Sequence, residues 1–125
     1  MGLTIPKHDI YGGGSYDPAA IYDQLVQTGE AWADKESAAA LLEEMRKPVL
    51  AALKGRTEAK SDAAAEALAL ASHEYAEHIR KMIDARHAAT VARVKYDATR
   101  ALADALRTRQ ATMRAEAGLA GMSRG

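Results

Sequence analysis

RHAATVARVKYDATRALADALRTRQATMR, residues 86–114, contains neither proline nor glycine and places an arginine at every seventh position: Arg86, Arg93, Arg100, Arg107 and Arg114. Seven residues are two turns of an α-helix, so a helix here aligns the five guanidinium groups as a rail along one side. Extended in both directions, no proline or glycine interrupts the chain from Ser61 to Ala117. A continuous helix of that length would measure about 80–85 Å at 1.5 Å per residue.

Working upstream, GRTEAKSD (residues 55–62) reads as a short connection, with Gly55 as a helix stop. Before it, Asp17-Pro18 has the chemistry of a helix start, because Asp caps exposed N–H groups and proline at the first helical position forfeits no hydrogen bond. Ile21, Tyr22, Leu25 and Val26 follow with three- and four-residue spacing. Gly29 weakens that helix, and Pro48 predicts a kink just before it. The expected fold is all-α: a kinked N-terminal helix or helix pair over 18–54, hairpinned through 55–61 onto one long helix over 61–117, coiled-coil-like and oligomeric. Residues 1–16, with Gly12, Gly13 and Gly14, read as a flexible arm carrying Tyr11 and Tyr16, and 118–125 as a frayed tail.

The expected seam of the long helix runs Ala65, Leu68, Ser72, Tyr75, Ile79, Met82, then through a stutter at Ile83, His87 and Val91 to Val94, Ala98, Ala101, Ala105, Thr108 and Thr112. In this register Trp32, Leu41, Leu42, Met45 and Leu53 pack on Leu68, Tyr75, Ile79 and Met82. The basic C-terminal half is then left without an intrachain partner of equal length, a physical argument for association. A turn near residues 86–90, giving two antiparallel helices, is the alternative to the rod.

Composition narrows the function. One Trp, five Tyr and no Phe leave alanine to supply much of the 48% hydrophobic content, which favours long helices packed on one another. With no cysteine, disulfides, thiolate metal sites and cysteine nucleophiles are excluded together. No apolar run reaches the roughly 18–20 residues of a membrane span, the N-terminus lacks a signal peptide's apolar core, and MGLTIP puts proline where a myristoylation signal needs Ser or Thr. The expected location is cytoplasmic, or a virion if the chain is a particle component. Net charge is zero, yet residues 1–79 carry 7 cations against 13 carboxylates and residues 80–125 carry 10 against 4. That division suits a basic surface for nucleic acid, head-to-tail association, or an acidic helix packed on a basic one.

Catalysis has no constellation to carry it. His73 and His78 are five residues apart, off the i,i+4 face needed for joint ligation, and Glu74 and Glu77 do not complete an HExxH pattern. A mixed site of His73, Glu77 and Glu66 is the remaining metal arrangement, and a solvated helix face is the simpler account. The three glycines are followed by no Lys-Ser/Thr, so they are a linker and not a phosphate cradle. No enzyme, cofactor, metal or small-molecule substrate is expected.

The candidate site is the rail, Arg86, Arg93, Arg100, Arg107 and Arg114, together with Lys95 and Arg109 outside it, and with Tyr96 as a base-stacking residue. Thr99, Thr108, Gln110 and Thr112 are interleaved, and guanidinium groups with neutral donors suit phosphate contacts that do not read bases. Against this, Asp97 and Asp104 stand at intrahelical pairing distance, so the rail also reads as the charged border of a helix seam.

HIRKMIDARHAATVARVKYD, residues 78–97, resembles the middle of the UvsY-type recombination mediators of phages, with Ala92, Arg93 and Tyr96 on the Ala-Arg…Tyr motif and Met82 and Ile83 on its apolar positions. The likeness covers about 20 of 125 residues and departs from the pattern at Val91, at Asp97 and in the absence of the glycine turn that follows. It implies a small helical accessory protein of DNA recombination or replication whose oligomers bind single-stranded DNA and help load a recombinase. The alternatives of another class are a structural adaptor or scaffold of a phage particle or other assembly, whose partner is a virion protein, and a small protein inhibitor; in both the basic helix is a protein interface.

Overall fold

The computed structural model describes residues 17–123. They form four helices, α1 (Pro18–Glu44), α2 (Arg46–Gly55), α3 (Asp62–Leu70) and α4 (His73–Ser123), with no strand among the described residues. The glycine-rich arm of residues 1–16 lies outside them. Contacts divide the described residues into two compact units, one formed by residues 17–30 together with 93–123, the other by Ala31–Ala92.

Each boundary has a local cause. Asp17 accepts from the N–H groups of Ala19 (3.1 Å) and Ala20 (3.3 Å), so the expected cap opens α1. Pro48 brings no N–H to the Glu44 carbonyl, and the helix bends at Met45, between α1 and α2. Bonds from Met45 N–H to Leu41 O (3.0 Å) and from Val49 N–H to Met45 O (2.9 Å) continue through the bend, so the two helices form one bent element. Ser61 caps α3 by accepting from Ala64 N–H at 3.1 Å. Lys54 in the last turn of α2 pairs at 2.9 Å with Asp62 in the first turn of α3, each charge at the helix end whose dipole favours it.

The expected uninterrupted 61–117 helix is corrected by a break at Ala71 and Ser72, well before the 86–90 segment considered for a turn. One hydroxyl does the work glycine or proline does elsewhere: Ser72 Oγ donates to Ala69 O at 2.6 Å, closing α3, and accepts from Tyr75 N–H at 3.2 Å, capping α4. Serine competes with the helical backbone for its own hydrogen bonds, which is why it can end one helix and start the next. Downstream, α4 continues through Gly118 and Gly121 to Ser123, beyond the end expected near Ala117.

Along α4 the buried and half-buried positions alternate three and four residues apart without a stutter: Tyr75, Met82, Ala89, Tyr96, Ala103 and Gln110 at a, and His78, Ala85, Ala92, Thr99 and Leu106 at d. This corrects the expected seam beyond Met82. Ile83 and Val94 are more than half exposed, and His87, Ala98, Ala101, Ala105, Thr108 and Thr112 lie on the outside with them. The expected core partners Leu41, Met45 and Leu68 are exposed as well, while Leu53 is buried. Alanine explains the difference: five of the seven buried apolar residues are Ala39, Ala65, Ala69, Ala89 and Ala92. Small side chains at a and d let backbones approach closely, and the larger aliphatic groups are left at the flanks or outside.

In the first unit α1 runs antiparallel to α4. Ile21 and Gln24 meet Thr99, Leu102, Ala103 and Leu106, and Gly29 faces the ring of Tyr96, whose Cε1 would lie 3.4 Å from a Cβ at Gly29. Thr28 and Thr99 are buried without a polar deficit, because their hydroxyls donate to Gln24 O (2.7 Å) and Lys95 O (2.8 Å) of their own helices. In the second unit His78 Nε2 donates to Leu42 O across the helix pair at 2.9 Å, satisfying a buried imidazole one turn before the bend. Leu53, Ala65 and Ala69 form the buried surfaces of α2 and α3 in the same unit.

A methyl at Gly29 meets only ordinary contact distances, so Gly29→Ala is expected to stabilise by up to about 1 kcal/mol through helix propensity. Gly29→Leu must displace Tyr96 and is expected to destabilise; denaturant midpoints rising with both side chains would show that the approach is not close. Ser72→Ala removes both hydroxyl bonds and is expected to cost about 1 kcal/mol. An unchanged midpoint would mean that Ser72 does not set the break.

Candidate nucleic-acid interface

The arginines of the rail all fall at position e of α4, one place beyond each d residue, so the alanine-rich seam determines where they point. A seven-residue repeat drifts about 20° per heptad around a straight helix, so from Arg93 to Arg114 the row turns by about 60° and stays on one side. Its members nevertheless differ in environment. Arg86 is half-buried and bridges to α1: Nε and one terminal nitrogen contact Glu43 at 3.0 and 2.7 Å, and the other terminal nitrogen contacts Glu36. This bidentate pairing holds the Glu43 carboxyl below the usual range, chiefly through the hydrogen bonds from Arg86, and raises the guanidinium. Within this unit the division of charge along the chain is therefore used internally, by an acidic helix receiving a basic one.

From Arg93 onward the rail opens to solvent. Arg93 makes a long 3.7 Å contact with Asp97, and Arg107 a 3.1 Å contact with Asp104, both within the helix and exposed. Pairs of this kind are weak in water and leave the cation accessible to another anion. Lys95, Arg100, Arg109 and Arg114 are exposed and have no ion pair among the described residues. Over residues 93–114 six cations face two carboxylates, Asp97 and Asp104.

Tyr96 sits at an a position with its ring against Gly29 of α1. A base platform needs an open aromatic face, and this ring is part of the helix contact. The seven basic residues of the candidate site thus separate into Arg86, engaged by two carboxylates, and six that are solvent-facing. Thr99 belongs to the buried seam, whereas Thr108 and Thr112 are exposed with hydroxyls bonded to Asp104 O and Thr108 O, each at 3.0 Å.

His73 lies 3.9 Å from Glu77, but no group of three metal-ligating side chains occurs among the described residues. His87, expected in the seam, is exposed at an f position. An open groove of about 490 Å³ between α2 and α3 is lined by Lys47, Leu50, Lys54 and Asp62, with Lys54 and Asp62 already paired. No described helix is long and apolar enough to cross a membrane.

Sequence reasoning missed Glu36 and Glu43 as partners of Arg86. The available signal was spacing: seven residues apart on α1, they share a face, as do the arginines. Comparison with known proteins adds no assignment, since no family model, curated protein or solved structure matches this chain.

Because Glu43 has a lowered pKa in the folded chain, its stabilising effect is fully present above the ordinary glutamate value of about 4.3 and disappears as pH falls through the lowered one. Glu43→Gln is therefore expected to lower the urea midpoint at pH about 7 and to approach wild type at pH about 3. An equal gap at both pH values would remove the carboxylate's charge from the explanation.

Proposed function

We propose that this chain is a non-enzymatic accessory factor of DNA recombination or replication that acts as an oligomer and binds single-stranded DNA along α4. The observation that carries the reading is the run of six exposed cations, Arg93, Lys95, Arg100, Arg107, Arg109 and Arg114, against two carboxylates, on a helix packed against α1. Phosphate contacts by such a row supply affinity without base specificity, as an accessory factor acting along arbitrary sequence requires. Tyr96 is left out of the contact set, and Arg86 serves the fold. The resemblance of residues 78–97 to UvsY-type mediators points the same way and places Arg93 on the shared motif.

An adaptor or scaffold subunit is the second reading, favoured by one feature, the uncharged outer side of α4. In that reading the arginines meet acidic residues of a neighbouring protein.

The two separate by titrating a labelled single strand and following fluorescence anisotropy at about 50 and 200 mM salt. The DNA reading expects binding that weakens steeply with salt. The triple variant Arg93→Ala, Arg100→Ala, Arg107→Ala is expected to retain its helicity, bind more weakly, and lose about 2 from the slope of log affinity against log salt, at roughly 0.7 per phosphate contact. Absence of binding at the lower salt, or a triple variant with an unchanged slope, would remove the rail from nucleic-acid contact and put the adaptor reading first.

A further inference from the structure

We infer that Tyr22 of α1 is the base-stacking residue of the single-strand site proposed for α4, a role that rests on that reading and that Tyr96 cannot fill with its ring against Gly29. Of the described aromatic residues, Trp32, Tyr75 and Tyr96 are half-buried and Tyr22 alone is exposed, by 66%. A tyrosine left open on a helix that turns Ile21 and Thr28 inward adds little to that seam. Its ring face is available to a ligand, and every nucleic-acid base has a π face to set against it.

Helix register places this ring beside the rail. In the first unit α1 and α4 run antiparallel with Gly29 facing Tyr96. Seven residues back along α1 and seven forward along α4, Tyr22 comes level with Ala103, in agreement with Ile21 and Gln24 meeting Thr99, Leu102, Ala103 and Leu106. Arg100 and Arg107 stand three residues before and four after Ala103, about 5–6 Å to either side along the axis. The side is set by the α1 series with seven-residue spacing, Tyr22, Gly29, Glu36 and Glu43, which drifts only about 20° per heptad. Its last two members hold Arg86 of the arginine row in the second unit, and Gly29 faces α4 in the first.

That series changes chemistry along its length. In the second unit it supplies Glu36 and Glu43 to Arg86, whereas in the first it supplies Gly29 and Tyr22. The carboxylates of α1 in the first unit, Asp23 and Glu30, come one residue after Tyr22 and Gly29, about 100° further round the helix, and both are exposed. Arg100 has no ion pair among the described residues, and the exposed 3.1 Å pair of Arg107 with Asp104 is weak enough in water to yield to a phosphate. Two phosphates of one strand then engage Arg100 and Arg107 while a base between them turns onto the Tyr22 ring. Stacking is as indifferent to base identity as phosphate contact is, so the two act together without sequence preference.

Fluorescence anisotropy of the full chain, with a labelled oligo-dT and with an abasic sugar–phosphate strand of the same length, tests the assignment. Tyr22→Ala is expected to bind oligo-dT at least about fivefold more weakly at unchanged helicity, with the same slope of log affinity against log salt, because no phosphate contact is lost. On the abasic strand it is expected to match the unaltered chain. Tyr22→Phe is expected to retain oligo-dT binding, and Tyr22→Leu, apolar but without a π face, to behave as Tyr22→Ala. Absence of oligo-dT binding by the unaltered chain would overturn the rail reading and this assignment together. Oligo-dT binding that Tyr22→Ala or Tyr22→Leu leaves unchanged, or a loss equal on both strands, would overturn the stacking role alone and leave the rail as the DNA contact.

Discussion

Everything in this chain depends on how closely two helices can approach. Five of the eleven side chains that α4 turns toward its partners are alanine or threonine, which bury little apolar area each, about 0.8 kcal/mol per methylene at best. They hold helices together only when the backbones are near enough for many such groups to touch at once. Gly29 under the Tyr96 ring and the self-satisfied hydroxyls of Thr28 and Thr99 make that approach feasible, at the cost of leaving Gln24 Oε1 buried without a hydrogen-bond partner among the described residues. Close approach also orients the helix. Once alanine defines the inside, position e follows, and with it the direction of every arginine in the row.

The same economy explains why polar contacts carry so much of the specificity in the second unit. A seam of small residues fixes distance better than register, because alanines are nearly interchangeable. His78 on the Leu42 carbonyl and Arg86 on Glu36 and Glu43 are not interchangeable, and they pin α4 against α1 at one alignment. Arg86 is thereby separated in role from the arginines that follow it at identical spacing. The repeat is chemical, and the environment divides it.

Much of the backbone was legible because its signals are local. Asp17 and Ser61 cap helices by contacts two or three residues away, Pro48 bends one by lacking a proton, and another closes just after Gly55, where Arg56 N–H donates to Leu53 O and the Thr57 hydroxyl to Lys54 O. The break at Ser72 was missed because serine is ambiguous in isolation: its hydroxyl supports a helix end only when neighbouring carbonyls and N–H groups are released to it. The seam was misplaced for a related reason. Ile83, Val91 and Val94 look like core by hydrophobicity, yet the inward face went to smaller groups, since burial in this molecule is decided by how near the helices come.

What the amino-acid sequence determined by itself was an all-α chain with its caps and bend, free of thiol chemistry, carrying an arginine every seventh residue of one helix. Helix periodicity and proton-donor chemistry suffice for those conclusions, because they involve residues within two turns of each other. Tertiary structure alone decided which side of α4 faces inward, that Arg86 belongs to the fold while Arg93, Arg100, Arg107 and Arg114 face solvent, and that Tyr96 lies against Gly29. Those outcomes rest on contacts between residues tens of positions apart, where a shift of one residue in register turns the helix by about 100° and exchanges its faces.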